Sequence, residues 1–300
     1  MFPPRLQRPI KQALFLAVLL TMIMVLHSGT CAQEARVSPA LYSLSSMSRA
    51  QGSADYAGMT GHPGLSGHEG MTAAITVVLE REFGLVVSRT KLHLYPNREA
   101  FQSNLVHIVR FDPVYAREVA GWAVAVAAPE MVLANEEALK RISRSERIRV
   151  LAHELVHTVQ YGLSSGRRST SDQWLREGFA DWIAYRVLEY LEPGSPTLRA
   201  SDLARIKDTV HRQSCAPLSK MVTLEGFGDA RSRYGGTATY GGCLLAVDLL
   251  VKRYGIESVL NYFSLFGQSD DRIGNFKAAF GQDLAAFEKD FQSYRATSLQ

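Results

Sequence analysis

Apolar residues return at helical spacing many times along this chain, and at strand spacing in only one limited stretch. From Met71, the positions Ala74, Val77, Val78, Leu79 and Phe83 line one face of a helix that Gly84 should end. Val86 to Tyr95 mixes β-branched residues with alternating apolar positions, as a half-buried strand does, and stops at Pro96-Asn97. A short helix through Phe101, Leu105 and Ile108 follows. Trp122–Ala127 and Met131–Ala134 then read as two short strands broken at Pro129. Beyond Asn135 the strand period fades. Helices are expected over Glu146–Tyr161, Asp172–Leu191, Ser201–His211, Thr237–Tyr254 and Ile256–Phe266, with two more after them, and Gly255, Gly267 and Gly281 punctuate the last four. The pattern predicts an α+β architecture, with a small N-terminal sheet carrying helices and a mostly helical C-terminal part.

Two stretches lack such a period. Residues 33–70 are rich in Ser, Gly and Ala and read as a linker or loosely packed arm, in which His62 and His68 are expected to be solvated loop side chains. Residues 1–32 have the parts of a cleavable secretory signal: a basic flank from Arg5 to Lys11, the apolar run Ala13 to Leu26, and small residues ending at Thr30-Cys31-Ala32. The apolar run is shorter than the ~20 residues a membrane span needs, so no stable insertion is expected after cleavage. The folded domain should therefore occupy 71–300, with the sheet-bearing part at 71–161 and the helical part at 162–300, in a secreted or periplasmic protein.

Charge narrows the partners. The full chain carries 33 Lys and Arg against 29 Asp and Glu, but three of the basic residues and none of the acidic ones lie in 1–32, leaving 30 minus 29, or +1. A body this close to neutral has no basic stripe to track phosphates, so nucleic acid is not an expected partner. Export would leave Cys215 and Cys243 in an oxidising compartment, where an even pair is expected to bridge.

The candidate chemistry sits in two helical segments. His153-Glu154-Leu155-Val156-His157 sets two imidazoles one turn apart on one helix face, where both can reach a single ion. Glu154 points about 100° around the helix, where its carboxylate can take a proton from water at that ion. Downstream, Trp174-Leu175-Arg176-Glu177-Gly178-Phe179-Ala180-Asp181 offers two carboxylates at i and i+4. One can complete a two-histidine, one-glutamate zinc site with a fourth position open to water, the pattern of catalytic rather than structural zinc. The other can accept the outer N–H of a ligating histidine.

These two motifs, with nineteen residues between His157 and Glu177, resemble those of the gluzincin metallopeptidases, particularly the peptidase MA-like group. Softer similarity runs from about Met71 to Ala296, including Tyr240–Tyr254 and Phe276–Tyr294. The resemblance implies a zincin-like fold, Zn²⁺ in a cleft between the two parts, and hydrolysis of peptide or protein substrates. It gives ligand roles to His153, His157 and Glu177, the base role to Glu154 and a supporting role to Asp181, as in thermolysin-like sites. Aminopeptidase N-like relatives carry Gly-x-Met-Glu-Asn on an edge strand before the zinc helix. Here Gly121-Trp122-Ala123-Val124-Ala125 stands instead, without the amine-anchoring glutamate. Cleavage within a chain is therefore favoured over removal of N-terminal residues, although Glu130 could supply an anchor by another route.

Hydrolysis also gains from a donor aimed at the developing oxyanion. Tyr240, at the start of an expected helix, is the first candidate; Tyr234, on an expected flexible loop, and His211, at a helix end, are the others. Two alternative functions remain: a zinc hydrolase of a non-protein amide, and a catalytically idle, zinc-stabilised binding protein. The second has no use for Glu154. Substrate, oligomeric state and any activation step are not written in the residues.

Overall fold

The computed structural model describes residues 67–87, 89–166, 170–192, 204–210 and 215–298. The expected signal segment, residues 33–66 with His62, and His211 lie outside them. The order of elements is α1 (Gly67–Phe83), β1 (Lys91–Tyr95), α2 (Arg98–His107), α3 (Pro113–Trp122), β2 (Ala125–Ala128), β3 (Met131–Asn135), α4 (Glu136–Arg141), α5 (Arg144–Leu163), α6 (Gln173–Leu191), α7 (Leu224–Tyr234), α8 (Gly236–Leu265), α9 (Arg272–Phe280) and α10 (Leu284–Ser298). Residues 204–210 are also helical. The α+β expectation holds. Among the described residues no helix is long and apolar enough to cross a membrane.

The sheet has three strands in the order β1-β3-β2. β1 runs parallel to β3 and β2 antiparallel to it, with Val126 opposite Leu133 and His93 opposite the same Leu133. β2 is thus an edge. A small core of Phe101, Leu105, Ala116, Val119 and Leu133 fills one face between the sheet and α2–α3. The other face joins the main core, to which α1, α5, α6 and α8 contribute.

Several expectations need correcting. α1 begins at Gly67, and His68 is buried within it, with Nδ1 lacking a hydrogen-bond partner and its pKa lowered by burial and by Arg147. Packing on the core makes that turn helical despite its two glycines. β1 is confined to Lys91–Tyr95, because Leu85 and Val87 are buried by a loop without pairing. Three helices stand where the apolar pattern predicts none, among them the short α4, which Asn135 caps. α3 starts where Asp112 caps Val114 and Tyr115 and Pro113 occupies the first turn. α7 starts at Thr223, which caps Gly226. Tyr234 consequently ends a helix rather than riding a flexible loop. Gly255, with φ of 81°, breaks α8 as its position suggested.

α6 is the central element. Sixteen of its nineteen residues are buried, including Trp174, Phe179, Ile183 and Val187. Each such apolar side chain contributes roughly 1.5–3 kcal/mol on burial, and together they offset the cost of carrying Arg176, Glu177 and Asp181 inside. At its N-terminus the backbone N–H groups of Gln173 and Trp174 donate to the carbonyls of Val222 and Met221. Asp172, fully buried, accepts from the Tyr262 hydroxyl at 2.5 Å and from Arg272 at 2.7 Å, which ties this end to α8 and α9.

Candidate metal centre

α5 carries the first motif because its start is well specified. Ser143 and Glu146 form a reciprocal capping box, and Ile148, Leu151, Ala152, Leu155 and Val156 seat the helix in the core. That leaves His153 and His157 facing α6. Their ring centroids lie 4.7 Å apart at 87°, and the two Nε2 atoms approach to 3.0 Å. Glu177 reaches over from α6, with Oε2 3.2 Å from His153 Nε2 and Oε1 3.5 Å from His157 Nε2. One ligand atom from each of the three residues lies within 4.8 Å of the others, so the set could hold a metal ion.

The outer nitrogens decide what the inner ones present. His153 Nδ1 donates to Asp181 Oδ1 at 2.9 Å, and His157 Nδ1 to Gln160 Oε1 at 2.8 Å. The amide orientation of Gln160 follows from its Nε2, which donates to the carbonyl of Arg176 at 3.0 Å. With both protons on Nδ1, each Nε2 turns a lone pair toward the other and toward a carboxylate. Three converging acceptors are favourable only around a positive charge, and the donor set fits zinc. The electrostatics draw positive charge to the same point, whether it arrives as an ion or as a second proton on an imidazole. Burial opposes charge on His153, yet Asp181 and Glu177 outweigh it and raise its pKa to about 10. Burial likewise opposes charge on Glu177, and the two histidines outweigh it and hold that carboxyl well below its ordinary range.

Further side chains that the spacing did not reveal hold this arrangement. Gln173, one turn before Glu177, donates to Glu177 Oε1 at 2.7 Å and accepts from Arg176. Arg149 lies 3.5 Å from Asp181. Gln160 stands three residues after His157, a helical spacing that could have pointed to it. Gly178 acts through its lack of a side chain. A Cβ there would come within 2.4 Å of the Cys243 carbonyl oxygen, so α6 and α8 meet backbone to backbone directly beside Glu177.

Tyr240 comes to the same region. Its ring packs edge-on against Phe227 at 5.0 Å. Burial and then the charge of Glu177 push its pKa well above 10, with Asp181 and Glu154 adding to the effect and Arg231 opposing it. Its hydroxyl therefore keeps its proton, and it has no hydrogen-bond partner among the described residues. Tyr234 instead lines a separate cavity with Arg205 and Thr209. Glu130 is exposed at the β2–β3 turn with φ of 56°. Cys215 and Cys243 are both buried thiols, and the expected bridge is not formed. Cys215 donates instead to the Ala238 carbonyl at 3.4 Å and packs against Gly242.

Two histidines one turn apart, a glutamate from the next buried helix and a carboxylate following the first histidine define the site type of the gluzincin metallopeptidases. Residues 101–246, which include both motifs and Tyr240, match the model of the peptidase family M1 domain, a zinc metallopeptidase family of that type. Comparison with curated proteins and with solved structures gives no match.

Proposed function

We propose that this chain is a zinc-dependent peptidase that cuts within peptide chains, with Glu154 as general base. The observation that carries the reading is the convergence of His153, His157 and Glu177 on one point, beside Glu154 on the same helix. When bound there, zinc supplies a Lewis acid that polarises a carbonyl and makes water a stronger acid. Asp181 and Gln160 keep the two Nε2 lone pairs aimed inward. Glu154 takes a proton from the attacking water and returns it to the amine of the broken bond. Tyr240 donates its O–H to the carbonyl oxygen as negative charge develops on it.

The matched family is aminopeptidase-like, and it supports peptide hydrolysis without resolving where in a chain the cut falls. Internal cleavage is supported by the edge strand. β2 has an open side among the described residues and packs on α5, so an extended backbone can lie along it, between the sheet and the helical part. The run leading into it, Gly121 to Ala125, offers no carboxylate to hold a free amine. The same reading has the chain exported after cleavage at Ala32, which N-terminal sequencing of protein from the periplasm or medium checks.

Glu154→Gln decides the central claim. The amide cannot accept the proton, while the three ligands are untouched, so the variant should bind zinc fully and cleave nothing from a blocked peptide library. Turnover at the wild-type rate would remove Glu154 from the mechanism.

A further inference from the structure

Trp122 closes α3 just before the edge strand, and half of its surface is exposed. Over its ring lies the guanidinium of Arg231, 3.9 Å from the centroid, reaching across from α7 in the helical part. The same guanidinium is 5.8 Å from the ring centroid of Tyr240, whose hydroxyl feels the charges of Glu177, Asp181 and Glu154. Arg231 thus sits between the sheet's edge and the metal centre, half-buried.

Nothing described pairs with its charge. Arg231 has no ion pair and no side-chain hydrogen bond among the described residues, and its helix offers none: Phe227, Gly228, Tyr234 and Gly235 occupy the positions three and four away. Stacking on Trp122 uses only the flat face of the guanidinium. The N–H donors lie in its plane, in the fork that fits a carboxylate. The nearby protein carboxylates would otherwise repel an anionic substrate, so a fixed cation here changes which substrates can enter.

We infer that Arg231, braced by Trp122, is a specificity-determining residue that binds a carboxylate of the peptide substrate. This rests on the peptidase reading above. The carboxylate comes from an acidic side chain or from the peptide's C-terminus, and matched peptides separate the two sources.

The test uses the zinc-loaded mature protein and four peptides with blocked N-termini. Two have amidated C-termini and differ only by Glu against Gln beside the cleaved bond. Two carry Gln and differ by a C-terminal carboxylate against amide. Wild type should favour one carboxylate member over its neutral partner by roughly 10- to 100-fold in kcat/KM, as a charge-assisted hydrogen bond provides. In Arg231→Gln that ratio should fall toward one, and Arg231→Lys, which keeps the charge but loses the fork, should fall between. Zinc content and thermal midpoint establish that each variant is folded. A wild type with no preference, or Arg231→Gln with the preference intact, overturns the inference; a purely structural Trp122–Arg231 contact would leave the ratio unchanged. If wild type cleaves none of the peptides, the peptidase reading fails. Binding of the same peptides to zinc-loaded Glu154→Gln, with and without Arg231→Gln, then decides the carboxylate site without turnover.

Discussion

At the residue scale, Asp181 and Gln160 support the two histidines by different chemistry. Asp181 gives His153 a charged acceptor, whereas Gln160 gives His157 a neutral one whose orientation the Arg176 carbonyl fixes. Asp181→Asn keeps an acceptor oxygen but loses the charge that strengthens the ligand. Zinc affinity should fall by roughly 10 to 100-fold, read by competition with a fluorescent chelator. Gln160→Leu should cost as much, because it removes the acceptor of the buried His157 Nδ1–H; wild-type affinity in either variant would make that side chain a bystander. Tyr240→Phe removes the hydroxyl alone and should lower kcat by about 100-fold with zinc content unchanged. Since the Tyr240 pKa lies well above 10, no alkaline loss of activity below pH 10 should trace to it.

At the scale of elements, the helices that carry chemistry were the most legible. The helical period over Glu146–Tyr161 sets His153 and His157 on one face, as α5 has them, and the four-residue spacing of Glu177 and Asp181 survives in α6. What could not be read depends on contacts between segments distant in sequence. Arg231 matters because Trp122 arrives from α3, and α7 exists with only Phe227 and Ala230 buried, too few to declare a period. α3 does carry a start signal, Asp112-Pro113, but no long apolar stripe follows it. Gly178 makes the point sharpest. Its place in the motif was plain, yet only the backbone of α8 against it explains the residue. Gly178→Ala puts a methyl 2.4 Å from the Cys243 oxygen and 2.8 Å from Val247, so α8 must shift away. Overpacking of this kind costs about 1–3 kcal/mol. Activity should fall further than stability, because Glu177 and Tyr240 sit on the two helices forced apart. A variant with normal kcat and a lowered thermal midpoint would contradict that coupling.

For the whole molecule, zinc is expected to act as a clamp between α5 and α6. A ligand that binds only the folded chain stabilises it by mass action, by about 2.7 kcal/mol when its free concentration is 100 times Kd. For a domain of this size that corresponds to a thermal midpoint several degrees higher. Chelation should lower the midpoint of wild type and leave a His153→Ala variant unmoved; equal responses would mean that the ion bound elsewhere.

The buried knot at Asp172 has a consequence for the birth of the protein. All three candidate metal ligands have been synthesised by residue 177, but the side chains that anchor Asp172 at the head of α6 are Tyr262 and Arg272, near the end of the chain. A ribosome-bound chain stopped before residue 262 has all three of these side chains, but the head of α6 is then held by the carbonyls of Met221 and Val222 without the buried Asp172 anchor. Domains fold as their last stabilising segments emerge, so metal capture should switch on abruptly between stalled chains ending before 262 and those in which 272 has cleared the exit tunnel. Radioactive zinc retained by a ladder of stalled nascent chains would display that step, and a gradual rise beginning at residue 177 would refute it. On the peptidase reading, a chain built this way would stay inert toward the other new chains around it until its own translation is nearly complete.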